Sequence, residues 1–393
     1  MTSVERLLSE SAEGRRLSRD EAARLWREAP LAELAAAAHA ARNRRTDPRT
    51  VTYVVDRNIN YTNVCNVYCS FCAFYRTKKD EDAYTLSTEQ VLAKVEELVA
   101  IGGTQVLLQG GLNEDLPLDH MKSLFRAVRD RFPQVDLHSL TATEIEFWAR
   151  KHGMTFEAVL RELRDAGLKS LPGGGMEILV DRVRNKVSPL KTDAQTYLAI
   201  HRAAHELGMT STATMMFGTV ETIEERIEHL DAVRALQDAS RRAGRRGFTA
   251  FIPWSYQHDE RVPLRVPPTT ADDYLRTMAV SRLYLDNVEH LQSGWVTEGP
   301  KIAQVALRFG ADDWGGVLME ENVISAAGTV FSMTPRDACR LIRAAGHAPA
   351  QRDTYYSILR RWEREDPPEV RIRAPEHGTP VMPTAGTNAS FRV

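Results

Sequence analysis

Cysteine is scarce in this chain, four residues among 393, and three of the four are bunched together, which suits metal ligation in a reducing compartment better than a disulfide framework. No run of about 18 apolar residues occurs, so no segment reads as a membrane-spanning helix. Residues 1–16 lack the apolar core and the small-residue cleavage site of a signal peptide. The expected location is the cytoplasm. An excess of either charge is missing as well: 51 Lys and Arg against 53 Asp and Glu give a formal charge of −2. Nothing in that balance draws the chain toward nucleic acid or an anionic membrane, and a small molecule is the expected partner.

Apolar residues make up 43% of the chain, enough for a sizeable core, and the length suits one large domain such as a (β/α)8 barrel with extensions. Residues 1–50 are rich in Ala, Leu, Arg and Glu, with Leu7, Leu8, Leu17, Leu25, Leu31, Leu34 and Ala38 spaced for helical faces, and they predict a helical extension. Residues 51–55 read as a strand that runs through Asp56 to Tyr61 into a functional loop. Ser87 and Gln90 form a capping-box pattern ahead of a helix that Gly102-Gly103 ends, and strand follows helix from there. Strands are expected near 104–109, 135–139, 168–171, 209–217, 248–252, 289–293 and 314–319, which with 51–55 makes eight. The alternation predicts an α/β fold, a (β/α)8 barrel of TIM type over 51–365, with a partial barrel of six units as the alternative. Thr334-Pro335 announces a last helix running to Gly346, and residues 366–393, rich in Pro, Gly and Thr, predict an irregular tail.

The chemistry concentrates in Cys65-Asn-Val-Tyr-Cys69-Ser-Phe-Cys72, a CxxxCxxC loop with three thiolates and no fourth cysteine nearby. Three ligands on a four-iron cluster leave one iron open. The alternative is a structural zinc of Cys3His type, completed by one of the eleven histidines. Cys339 stands alone on a predicted helix and reads as a small buried hydrophobe. His138-Ser139 and Pro172-Gly173-Gly174-Gly175-Met176-Glu177 fall at the ends of the third and fourth strands, where barrel enzymes keep their sites.

The cysteine spacing, with Phe71 just before the last cysteine, resembles the radical S-adenosylmethionine (radical SAM) superfamily. That resemblance implies a four-iron, four-sulfur (4Fe–4S) cluster on Cys65, Cys69 and Cys72, with the amino and carboxylate groups of SAM on the open iron. It implies Phe71 against the adenine and Gln109-Gly110-Gly111 as the glycine-rich stretch that meets the SAM amine. Ser139 and Glu177 are further expected cofactor contacts, Glu177 at the ribose or amine.

Further stretches narrow the likeness: residues 54–65 (VVDRNINYTNVC), 71–76, 251–254 (FIPW), 290–293, 319–322 and 349–354 (PAQRDT). They are similar to the cyclic dehypoxanthine futalosine synthase family of the futalosine route to menaquinone. Sister families are aminofutalosine synthase and the hydroxybenzyl-transferring subunit of deazaflavin (FO) synthase. Tyr256-Gln257-His258 departs from the Phe-Gln-Pro-like run expected there. The resemblance implies an oxidoreductase in which a 5′-deoxyadenosyl radical takes hydrogen from the substrate ribose C4′, and the carbon radical closes on the aryl ring. An electron donor such as flavodoxin or ferredoxin is implied. A substrate bearing a carboxylate and ribose hydroxyls calls for polar contacts, expected from Asn60, Gln292, Glu320 and Asn322, with His138 and Glu321 as catalytic residues. Outside this class, the rival is a metal-stabilised barrel that binds a small ligand without redox chemistry.

Overall fold

The computed structural model describes residues 3–329, 331–362 and 364–370; of the tail expected over 366–393, everything beyond 370 lies outside the described residues. Three helices come first, α1 (Val4–Ala12), α2 (Arg19–Glu28) and α3 (Leu31–Arg45). Ser3 caps α1, and Ser18 with Glu21 forms a reciprocal capping box on α2. Their apolar faces, Leu7, Leu8, Leu25, Leu34 and Ala38, are buried. The helices lie against two outer helices of the barrel, Ile223–Arg242 and Ala271–Tyr284. Arg16 fastens that contact, bonding Asp238 at 2.7 Å and Asp286 at 3.0 Å.

The barrel begins with β1 (Thr50–Val54) and β2 (Asp56–Asn60), effectively one strand bent at Val55. β3 (Gln105–Gln109), β4 (Asp136–His138), β5 (Leu168–Leu171), β6 (Thr210–Phe217), β7 (Phe248–Ser255) and β8 (His290–Leu291) follow, each joined to the next in one parallel sheet in chain order from β2 to β8. β9 (Asp313–Gly316) closes the circle. It pairs parallel with β1 at Thr52↔Asp313 and Val54↔Gly316, and a parallel bridge Gln292↔Asp313 ties it to the end of β8. With β1 and β2 counted as one, eight parallel strands go round.

Two features differ from the sequence reading. The strand expected at 51–55 continues to Asn60, because Asp56, Asn58 and Asn60 alternate on it as polar residues, and polar alternation carries no hydrophobic strand signal. After the helix Pro335–Ala344 the chain forms β10 (Ala348–Arg352), parallel to β1, and β11 (Ile358–Arg361), antiparallel to β10. β10 pairs with the first half of β1, so residues 352–356 close the N-terminal end of the barrel.

Candidate active site

The three cysteines follow β2 directly and sit at the C-terminal mouth of the barrel. Their loop is held by its own backbone. Cys65 N–H donates to Arg76 O at 3.0 Å, Arg76 N–H to Asn63 O at 2.8 Å, Ser70 N–H to Val187 O at 2.8 Å, and Leu264 N–H to Ser70 O at 3.0 Å. Tyr68 turns the loop with a left-handed φ of 52°. All three thiols are free and partly buried; burial pushes the Cys69 thiol up to about 12 and raises Cys72 too. They lie within electrostatic reach of one another, and Cys69 and Cys72 within reach of Lys191.

Among the described residues no three His, Cys, Asp or Glu side chains converge closely enough to hold a single metal ion. A Cys3His zinc site needs that convergence, since all its ligands meet at one ion. A 4Fe–4S cluster takes each thiolate at a separate iron, and three thiols on one wrapped loop suit it.

Gly110 and Gly111, at the end of β3, have a use the sequence reading did not assign. A Cβ on Gly110 would come within 2.7 Å of the Tyr61 ring, and one on Gly111 within 2.2 Å of the Val64 carbonyl oxygen and 2.8 Å of the Cys65 Cβ. Glycine here lets the cysteine loop lie directly on the β3 loop. Gly111→Ala is therefore expected to displace Val64 and Cys65 and to lower bound iron and sulfide well below the unaltered level, which elemental analysis after anaerobic reconstitution will measure. Tyr61 is itself fixed, its hydroxyl donating to Glu144 Oε1 at 2.7 Å.

Phe71 packs beside Met216, Tyr256 and Val262. Lys191 Nζ stands 5.8 Å from its ring centroid and donates to Glu177 Oε1 at 2.7 Å. Glu177 adopts a left-handed φ of 42° and is buried, and its Oε2 has no hydrogen-bond partner, with Arg184 3.7 Å away. Burial works against the Lys191 charge, but Glu177 and Cys69 outweigh it and raise its pKa. Thus Phe71, Glu177 and the cysteines share one neighbourhood, and Lys191 joins them. Ser139 is placed differently: it accepts from Leu108 N–H at 3.2 Å and donates to Val106 O at 3.3 Å, linking β4 to β3 between the strands.

Below the mouth lies a cavity of about 220 Å³ inside the barrel, reached by Gln109, His138 and Gln292 of the expected residues. His138 Nδ1 meets Ser170 Oγ at 2.6 Å; burial, helped by Arg352, drives its pKa down to about 3, so the imidazole is neutral. Gln292 donates to the Tyr356 hydroxyl at 3.0 Å. Asn60, Asn322 and Glu320 form a chain beside the cavity: Asn322 donates to Asn60 Oδ1 at 3.3 Å and to Glu320 Oε1 at 2.9 Å. Glu320 is buried between Arg57 and Lys94, each 2.8 Å away, and these cations hold its carboxyl below the ordinary range although burial opposes them. That ion cluster uses up its charge. Glu321 is turned toward its own loop, accepting the amides of Val323, Ile324 and Ser325 at 2.8–2.9 Å, and does not line the cavity.

The cavity also has polar walls that the sequence reading passed over: Asp56, Gln105, Thr210 and Thr249 low on the strands, and Arg352 and Tyr356 from the floor. Arg352 is clamped on Asp313 at 2.6 and 3.0 Å and lies 3.9 Å over the Tyr356 ring, which stacks on His290 at 3.7 Å. The signals available were PAQRDT for the floor and the polar alternation of β2. Lys191 gave none, since a lysine in a loop 14 positions after Glu177 reads as solvated surface.

Comparison with known proteins bears on most of the chain. The radical SAM superfamily model matches residues 59–233, and a model described as the CofH/MqnC C-terminal region matches 245–365. A cyclic dehypoxanthine futalosine synthase of Halalkalibacterium halodurans is 40% identical, over 93% of this chain and 98% of its own. An aminodeoxyfutalosine synthase of Thermus thermophilus is 38% identical, over 90% of this chain and 95% of its own. Among solved structures, methylornithine synthase superposes with a TM-score of 0.67 at 17% identity, covering 88% of this chain and 97% of that one, a likeness of fold. No helix among the described residues is long and apolar enough to cross a membrane.

Proposed function

Because the chain belongs to the radical SAM superfamily and, within it, to the family of cyclic dehypoxanthine futalosine synthases and their relatives, we propose that it converts dehypoxanthine futalosine to its cyclic product in menaquinone biosynthesis. The observation that carries this is a match to such a synthase over nearly the full length of both chains, with the three-cysteine loop at the barrel mouth. Its cofactors are a 4Fe–4S cluster and SAM. Bound together, they supply the 5′-deoxyadenosyl radical that takes a hydrogen atom from the substrate ribose C4′.

The chain's own residues hold, orient and shield. Cys65, Cys69 and Cys72 hold the cluster, and Gly110 and Gly111 let their loop seat. Phe71 offers a ring to the adenine, Gln109 and the free oxygen of Glu177 offer acceptors to the ribose or amine, and Lys191 offers a cation beside them. Ser139 keeps β3 and β4 in register beneath that site. Within the cavity, Gln292 and neutral His138 are donors and acceptors for ribose hydroxyls. Asn60, Glu320 and Asn322 stiffen the adjoining wall, and Glu321 shapes the loop after β9. The floor built on Arg352 and Tyr356 excludes water, which a carbon radical requires. A reduced donor of flavodoxin or ferredoxin type and a cytoplasmic location complete the proposal.

The test is mass spectrometry after anaerobically reconstituted, reduced protein is incubated with SAM and dehypoxanthine futalosine. The expected result is 5′-deoxyadenosine together with a product two hydrogens lighter than the substrate. The similarity to aminodeoxyfutalosine synthase supports a second reading, and 5′-deoxyadenosine without the lighter product would favour assaying that enzyme's reaction next.

A further inference from the structure

Asp56 has no assigned part in any of this, yet the fold is built closely around it. Its buried carboxylate lies low on β2, opposite Gln105 in the register of β3. Oδ1 accepts the Leu318 amide at 2.9 Å, and Oδ2 the Gln105 side-chain amide at 3.3 Å. Two backbone features make room for it. A Cβ on Gly316 would lie 2.2 and 2.3 Å from the two carboxylate oxygens, so no other residue fits there without moving Asp56. Leu318 takes a left-handed φ of 46°, a strained conformation for a non-glycine residue, and in it gives its amide to Asp56.

The ionisable side chains on the cavity wall are Asp56, His138, Arg352 and Tyr356. Arg352 is a cation clamped on Asp313, Tyr356 is bonded to Gln292, and His138 is too weakly basic to hold a proton near neutrality. Asp56 is the carboxylate among them. Ring closure needs such a group. Once the ribose carbon bonds to an aryl carbon that still bears hydrogen, aromaticity returns only if that C–H bond breaks.

We propose that Asp56 is the proton acceptor of the ring closure, an assignment that rests on the function proposed above. The new bond joins C4′ to the aryl carbon. The C–H bond on that carbon then breaks, its proton passing to the Asp56 carboxylate and its electron pair returning to the ring, while one electron leaves to an acceptor of the iron–sulfur class. Burial raises the Asp56 pKa to about 7; the Leu318 amide and Arg352 of β10 oppose that rise, and Asp313 of β9 adds to it. A base with a pKa near the working pH is suited to the task.

Asp56→Asn keeps an oxygen for the Leu318 amide and removes the base. With substrate deuterated at C4′, deuterium should still reach 5′-deoxyadenosine, while cyclic product per 5′-deoxyadenosine falls about 100-fold. An unchanged ratio overturns the proposal. So does loss of both products from a variant with full iron and sulfide, since Asp56 would then act before proton loss. If the variant fails to fold or to load, the unaltered protein decides: the same ratio should fall as pH drops from about 8 to about 5.5, as Asp56 takes up its own proton, and a flat ratio overturns the assignment. Cyclic product absent at every pH from the unaltered protein would defeat the functional reading, and the role of Asp56 with it.

Discussion

Cys69→Ala is expected to give a folded barrel that binds only residual iron and sulfide and forms no 5′-deoxyadenosine above the level of cluster-free protein. The loop keeps its shape without the thiol, because the bonds to Arg76, Val187 and Leu264 that shape it are made by the backbone. Loss of one partly buried sulfur should cost roughly 1 kcal/mol of stability. The function cannot survive in the same way, since the radical chemistry belongs to the cofactor and the protein supplies its seat. Cys65→Ala and Cys72→Ala should behave alike, one missing thiolate leaving a second iron without a protein ligand. Cys339→Ala is the control. That thiol is fully buried on the helix Pro335–Ala344 against Tyr53, far from the cysteine loop in sequence, and its loss should leave iron, sulfide and 5′-deoxyadenosine at the unaltered level.

The barrel was legible where its strands are apolar. The residues of β3 and β6, Gln105–Gln109 and Thr210–Phe217, fall inside the stretches expected from Val, Leu, Met and Phe content. Legibility failed where the inward face is polar. Asp56 on β2 and Arg352 on β10 point into a cavity rather than a packed core, and a strand that lines a polar shaft shows no hydrophobic alternation. β10 was further hidden because it lies beyond the last expected barrel unit and pairs with the first strand of the fold, a contact of almost 300 positions' separation in sequence that local patterns do not encode. The cysteine loop needed no structure to be found, its spacing being the signal. The acidic pair Glu320-Glu321 shows the opposite limit: adjacent and chemically alike, one is buried between Arg57 and Lys94 and the other caps its own loop, a difference set by partners more than 200 positions away and by the turn that follows. Asp56 falls between these cases, since its position was in view within the VVDRNINYTNVC stretch while its surroundings, Gly316 and Leu318, come from the last barrel strand and the turn after it, about 260 positions away in sequence.

Arg352→Met is expected to destabilise the protein by about 3–5 kcal/mol, because it leaves Asp313 as a buried charge without its cation. Both partners of the pair are buried, and the remaining donors to Asp313, the Thr52 hydroxyl at 2.5 Å and the Gly315 amide at 2.8 Å, are neutral. Thermal or denaturant unfolding measures the loss. Adding Asp313→Asn to the same chain should recover a large part of it, since the stranded charge goes with its partner. Activity should not follow stability in that double variant. Arg352 also covers the Tyr356 ring and is one of the groups holding the Asp56 pKa down, against burial and against Asp313. In Arg352→Met that restraint is gone while the Asp313 anion remains, so the Asp56 pKa rises and the carboxylate is populated only at higher pH. The fall in cyclic product per 5′-deoxyadenosine on acidification should therefore begin at higher pH than in the unaltered protein. In the double variant both the cation and the anion are removed, so the onset should return part of the way. Arg352→Lys keeps the charge but not the two-point grip on Asp313, and should lose less stability than Arg352→Met while leaving the onset close to that of the unaltered protein. An onset that stays fixed across all three variants would separate the floor from Asp56 and reduce Arg352 to a brace for β10.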